Sequence, residues 1–132
     1  MPLFWTISHP ARLIIAVVKD TVGLKDIEAY LDAVVVANLI GYRKIFDMTN
    51  ALIRLDDHEV MALGARIRAY DSMGRMGPLA IVAASPESYD RSRVFATLAV
   101  ADRPLQIFRE LHLARRWLDA QPTPQPASHS TS

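Results

Sequence analysis

The sequence has no cysteine, only five glycines among 132 residues, three lysines, and almost no excess of either charge sign, with fifteen basic and fourteen acidic side chains giving a formal net charge of +1. Without cysteine there is no disulfide framework, no thiolate metal site and no sulfur nucleophile, and a reducing compartment is expected. With a net charge of only +1 no long-range field gathers a phosphate polymer or an anionic bilayer, so nucleic-acid binding has no compositional support. Long apolar runs are missing as well. The longest, Ala33 to Ala37 with Leu39 and Ile40, is broken by Asn38 and falls well short of the ~20 residues that cross a bilayer, so no membrane insertion is expected. The opening Met1-Pro2-Leu3-Phe4-Trp5-Thr6-Ile7 has no positive region ahead of its apolar residues and no small-residue cleavage site. That argues against a signal peptide and for a cytoplasmic location.

What is present is a core. Half of the residues are hydrophobic, 51% by count, and a chain of this length buries roughly two-thirds of its unfolded surface on folding, enough for one domain. Apolar runs at Leu3 to Ser8 and Leu13 to Val18, separated by His9-Pro10-Ala11-Arg12, predict a hairpin. The second run does not alternate, as expected for a strand covered on both faces. From Leu24 to Ile40 the positions Ile27, Tyr30, Leu31, Val34 and Val35 follow the spacing of one helix face, with Gly41 as the expected terminator. Tyr42 to Met48 predicts a shorter strand, followed by a connection from Thr49 to Leu55.

Asp56 with Glu59 forms a capping pair, and Leu55 with Val60 a hydrophobic staple, so a second helix is expected to open there and to bury Val60, Leu63, Ile67 and Tyr70. Pro78 to Ala84 predicts a central strand. Ser85-Pro86-Glu87 opens a third helix, burying Tyr89, Val94, Phe95 and Leu98. Pro104 to Phe108 predicts an edge strand, and about Arg109 to Asp119 a last helix burying Leu111, Ala114 and Leu118. Gln121 to Ser132 carries three prolines and no large apolar side chain, so residues 120–132 are expected to form a disordered polar tail behind a domain of residues 1–119. The element order predicts a single three-layer α/β domain with a mixed five-stranded sheet and about four helices.

Four features in this order carry a family resemblance: the opening hairpin with Gly23, the strand end Ile45-Phe46-Asp47-Met48-Thr49, the strand Leu79-Ala80-Ile81-Val82, and the closing Ile107-Phe108-Arg109 followed by Ala114-Arg115-Arg116-Trp117-Leu118. In these, from Leu3 to Asp119, the chain resembles the SpoIIAA-like family of small bacterial proteins. That family is related to STAS domains (sulfate transporter and anti-sigma factor antagonist) and to CRAL-TRIO lipid-binding domains. The resemblance implies a STAS-like fold and a regulatory or binding role. In anti-sigma factor antagonists the helix after the third strand begins at a Ser or Thr that a partner kinase phosphorylates. The matching place here is Asp56 or Asp57, and the nearest hydroxyl, Thr49, stands at a strand end, so no phosphorylation is expected.

The richest polar cluster is Asp47, Thr49, Asn50, Asp56, Asp57 and His58, expected near the carboxyl ends of the strands where open α/β sheets bind ligands. These six are the candidate ligand or partner-binding residues. Against this, Asp47 and Thr49 can satisfy loop backbone groups while Asp56 caps a helix. An aspartyl phosphoacceptor role for Asp47 lacks the acidic pair it needs after the first parallel strand, where Lys19-Asp20-Thr21 offers one acid. No histidine pair has metal-ligand spacing, and no nucleophile elbow, phosphate loop or dinucleotide fingerprint occurs. Neither a catalytic role, a metal nor a cofactor is expected. Twelve arginines, with Arg91, Arg93, Arg103, Arg109, Arg115 and Arg116 in the last third, form either an anion or partner face or a solvated helix surface. Met48, Met61, Met73 and Met76 around the second helix are either lining for an adaptable apolar groove or core filler. Two functions are therefore expected. One is a non-catalytic regulatory module engaging a protein partner or a second copy of itself; the alternative is a carrier or sensor of a small apolar or lipid-like ligand.

Overall fold

A computed structural model describes residues 3–98 and 103–122. Its elements run β1 (Leu3–Ser8), β2 (Leu13–Val22), α1 (Leu24–Val36), β3 (Arg43–Ile53), α2 (Asp57–Asp71), β4 (Leu79–Val82), α3 (Pro86–Leu98), β5 (Leu105–Phe108) and α4 (Leu111–Asp119). The five strands form one mixed sheet in sequence order, β1-β2-β3-β4-β5. β1 pairs antiparallel with β2, and the remaining neighbours are parallel. The α/β class, the hairpin and the edge position of β5 agree with the sequence reading. Most of the expected polar tail lies outside the described residues.

Helices cover both faces of the sheet, unequally. On one face α1, α2 and α3 pack over Ile14, Ala16, Val18, Met48, Leu79 and Ile81. On the other, α4 alone brings Ala114 and Leu118 against Leu13, Ile45, Ala80 and Val82. The tilted stack of Trp117 on Phe108, ring centroids 5.8 Å apart, seals the margin of this smaller cluster. Helices on two faces explain why β2 reads as a continuous apolar run: Leu13 belongs to the α4 side, while Ile14 and Ala16 belong to the other.

Several boundaries differ from the sequence reading. β3 does not stop at Met48 but continues to Ile53, where Lys19 to Val22 of β2 pair with Asn50 to Ile53. The register shifts between Val17 and Lys19, so β3 has one extra residue there, a bulge that lets polar Thr49 and Asn50 sit exposed within a strand. α1 ends at Val36 rather than Ile40, because Asn38 adopts the left-handed conformation (φ 60°) expected of Gly41. In α3 the inward stripe contains Ser88 and Ser92, both buried, while Val94 is 41% exposed; the side chain of Leu98 lies outside the described residues. In α4, Leu111 is exposed and only Ala114 and Leu118 are buried.

Candidate functional site

The helix starts behave as their sequences require. Asp56 accepts the Glu59 N–H at 2.7 Å and donates its own N–H to Glu59 at 3.1 Å, completing the capping box of α2. The Ser85 hydroxyl accepts the Ser88 N–H at 3.1 Å, and the Gly23 N–H donates to Asp26 at 3.1 Å at the start of α1. With α1 and α2 fixed in this way, Arg66 of α2 ties the two helices together through Glu28 (3.2 Å) and Asp32 (2.9 Å), and the Tyr70 hydroxyl donates to the same Asp32.

The six candidate polar residues are not brought together. Asp47 accepts both the N–H and the hydroxyl of Thr49, at 3.0 and 2.6 Å, which closes a local turn of hydrogen bonds within β3. Strand alternation sends Asp47 away from Phe46 and Met48, which belong to the α1–α3 side. Asp56 is occupied by capping. Asp57 forms an ion pair with Arg91 of α3 at 2.7 Å. Asn50 and His58 are exposed. Asp56 and Asp57 do line a broad polar cleft of about 640 Å³ between the starts of α2 and α3, with Arg54, Glu59, Glu87, Asp90 and Arg91 around it. Among the described residues no group of three or more His, Asp or Glu could hold a metal ion, and no helix is long and apolar enough to cross a membrane.

A different site lies between α1–α3 and the sheet, a cavity of about 80 Å³ walled almost wholly by apolar groups. Ile27, Tyr30, Leu31 and Val34 of α1 and Val60, Leu63, Ile67 and Tyr70 of α2 form its roof. Phe46, Met48, Leu79 and Ile81 form its floor, and Phe95 of α3 flanks it. Tyr30 is oriented by Trp5 and Phe46, with ring centroids at 5.4 and 6.0 Å. Leu55 and Arg91 line both this cavity and the polar cleft, so the Asp57–Arg91 pair stands at the boundary between them.

The polar groups in this apolar space are unusual. Lys44, 3% exposed, is on the same strand face as Phe46 and Met48 and donates from Nζ to the carbonyls of Ile40 (2.6 Å) and Tyr42 (2.7 Å). The Ile40 carbonyl also accepts the Gly77 N–H, at 3.0 Å. A Cβ at Gly77 would collide with the carbonyl oxygens of Tyr42 and Gly41, so only glycine lets the chain pass so closely. Arg103, just before β5, also lines the cavity, with its Nε shut off from solvent and without a hydrogen-bond partner.

Burial holds the Lys44 amine well below the ordinary lysine value, and the positive charge of Arg103 pushes it the same way. Burial also lowers the Arg103 guanidinium to about 10, with Tyr30 and Asp71 pulling it upward. The Tyr30 phenol is raised by burial, and Arg103 opposes that rise. Three buried side-chain atoms among the described residues lack a partner: Arg43 Nε, Ser92 Oγ and Arg103 Nε. Two of them, on Ser92 and Arg103, line this cavity. Buried polar groups are nearly always satisfied, and an orphan inside a low-dielectric space is costly.

Lys44 and Ser92 were not candidates from sequence, whereas Arg103 was named with the arginine-rich last third and Met48 and Met76 as lining of an apolar groove. The signal for Lys44 was there, because the alternation Lys44-Ile45-Phe46-Asp47-Met48 places the lysine on one face with two large apolar residues. Ser92 likewise falls four residues after Ser88 on the inward stripe of α3. Arg103 carried no local signal. The arginine-rich last third is not one face: Arg91 pairs with Asp57, Arg103 enters the cavity, and Arg109 stacks on Tyr89 at 4.6 Å from the ring centre. Met48 and Met76 line the cavity, whereas Met61 and Met73 are exposed. No family model matches the sequence, and no curated protein matches it.

Proposed function

We propose that this protein is a non-catalytic binding module that takes a small apolar ligand into the cavity between α1–α3 and the sheet. The observation that carries this reading is the cavity itself: lined by helix and strand side chains, apolar on nearly every wall, and holding two buried polar atoms without partners. Binding sites for small molecules have this make-up, mostly hydrophobic with a few placed polar groups. Among the described residues neither a carboxylate nor an imidazole lines the cavity. The resemblance of the sequence to SpoIIAA-like proteins, with their CRAL-TRIO lipid-binding relatives, supports the same reading.

The test is native mass spectrometry and thermal unfolding of the full chain with 1-octanol. One-to-one binding is expected, with a melting temperature that climbs with alcohol concentration by mass action. Ser92→Leu, which places bulk in the cavity, is expected to abolish both effects. No complex and no thermal shift would overturn the reading.

A second reading, docking of a protein partner or a second copy, draws on Phe4 of the edge strand β1 (51% exposed) and Met61 of α2 (58% exposed). Sedimentation of the purified chain separates the two. A dimer that Phe4→Ser or Met61→Ser dissociates would favour docking, and a monomer that binds octanol favours the carrier.

A further inference from the structure

We propose that the cavity is specific for the carboxylate of a single-chain amphiphile, with the anionic head between Arg103 and Lys44 and the alkyl chain running along β3 toward Met48. This rests on the ligand-binding reading above and adds the chemistry of the head, its position and the length of the chain.

The head is assigned by charge. Lys44 and Arg103 both line the cavity, and the Arg103 charge is close enough to act on the Lys44 amine. A cation drawn into an apolar space is normally paired, yet Arg103, half-buried, has no ion pair among the described residues and its buried Nε has no hydrogen-bond partner. Asp71 is within electrostatic reach but not within ion-pair distance. Lys44 has only neutral carbonyl acceptors. An anion between the two would relieve their repulsion and give the Arg103 Nε its acceptor. A carboxylate suits a guanidinium, which presents parallel N–H donors at matching separation.

The chain is assigned by shape. Lys44, Phe46 and Met48 share one strand face, and from Lys44 to Met48 the strand rises about 13 Å, with apolar walls throughout. A water-sized group needs roughly 10–15 Å³ measured in this way, so 80 Å³ holds about five to eight such groups, head included: one short chain and no two-chain lipid. Ser92, buried and unpartnered on α3, faces the same space.

The experiment titrates octanoate and 1-octanol against the full chain at neutral pH by calorimetry, with Arg103→Met and Arg103→Lys as variants. Arg103→Met is chosen because an apolar side chain of similar length keeps the wall packed. Octanoate is expected to bind at least about tenfold more tightly than 1-octanol, the scale of one charge-assisted contact. Arg103→Met should erase the preference while leaving 1-octanol binding in place, and Arg103→Lys should restore part of it. Octanol binding as tight as octanoate, or a preference that survives Arg103→Met, would overturn the carboxylate assignment and leave the apolar site standing. Binding of neither would overturn both. Should Arg103→Met fail to fold, Lys44→Met reads out the same preference.

Discussion

The two faces of the sheet are built from similar residues and behave as different materials. Under α4, Ile45, Ala80, Val82, Ala114 and Leu118 are each at most 1% exposed and form a small apolar cluster. Under α1–α3 the core is larger, yet it contains a cavity, a lysine with no carboxylate partner, and two polar atoms with no partner at all. Protein interiors are normally close-packed and polar groups within them satisfied. The α4 face obeys that rule except at Arg43, whose Nε is buried without a partner while its Nη1 donates to the Leu118 carbonyl at 3.4 Å at the margin of the cluster. The α1–α3 face departs from it in its cavity and at Ser92 and Arg103, and such departures concentrate where a protein binds something. One face is filled, and the other leaves the space that the proposed ligand would occupy.

This contrast can be broken or sharpened by substitution. The largest effect is expected on the filled face: Leu118→Ala, at a side chain 1% exposed, should cost about 2–5 kcal/mol through lost transfer energy and a new cavity. Urea unfolding would measure it, and octanoate affinity at saturation of the folded state should be unchanged. If Leu118→Ala impaired binding in folded protein, the division between faces would fail.

On the other face, Ser92→Ala is expected to raise stability by about 1 kcal/mol, since it removes a buried hydroxyl that has no partner. A loss of stability would mean that the hydroxyl is satisfied. At the edge of both regions, Asp56→Ala should cost about 1 kcal/mol by removing the α2 cap, with ligand affinity unaltered, because Asp56 lines the outer cleft and not the cavity.

The smallest effect is a pH slope. The folded Lys44 amine is held below its unfolded value of 10.5, so between those two values the unfolded chain binds more protons and stability rises with pH. Below the folded value both states are protonated and the contribution is flat. The urea midpoint of the unmodified chain is therefore expected to rise on approaching pH 10, and in Lys44→Met that rise should disappear. An identical slope in the variant would place the amine in solvent.

Much of the scaffold was legible in the sequence because local signals there agree with the tertiary structure. Asp56 with Glu59, Ser85 before Pro86, and the periodic apolar face of α1 each act within a few residues. The missed boundaries have non-local causes. Thr49 and Asn50 read as a loop, but the β2 extension supplies hydrogen-bond partners that no local pattern announces, and a bulge accommodates the polar pair. At the end of α1, Asn38 displaced Gly41 because asparagine also tolerates the left-handed conformation.

The polar cluster from Asp47 to His58 read as a site because its residues are close in sequence. In space Asp47 and Thr49 bond to each other, and Asp57 is neutralised across the cleft by Arg91. Lys44, Ser92 and Arg103 are far apart in the chain and meet only through the order of β3, β4 and β5 with α3, so the cavity became visible only when the sheet was assembled.

The central claim, that one face binds and the other only packs, is tested most directly by titrating isotopically labelled protein with octanoate and following every backbone amide by nuclear magnetic resonance. Saturable shifts are expected at Tyr30, Lys44, Phe46, Ser92 and Arg103, with Ala114 to Leu118 of α4 unmoved. Saturable shifts centred on α4, or none on α1–α3, would contradict the account.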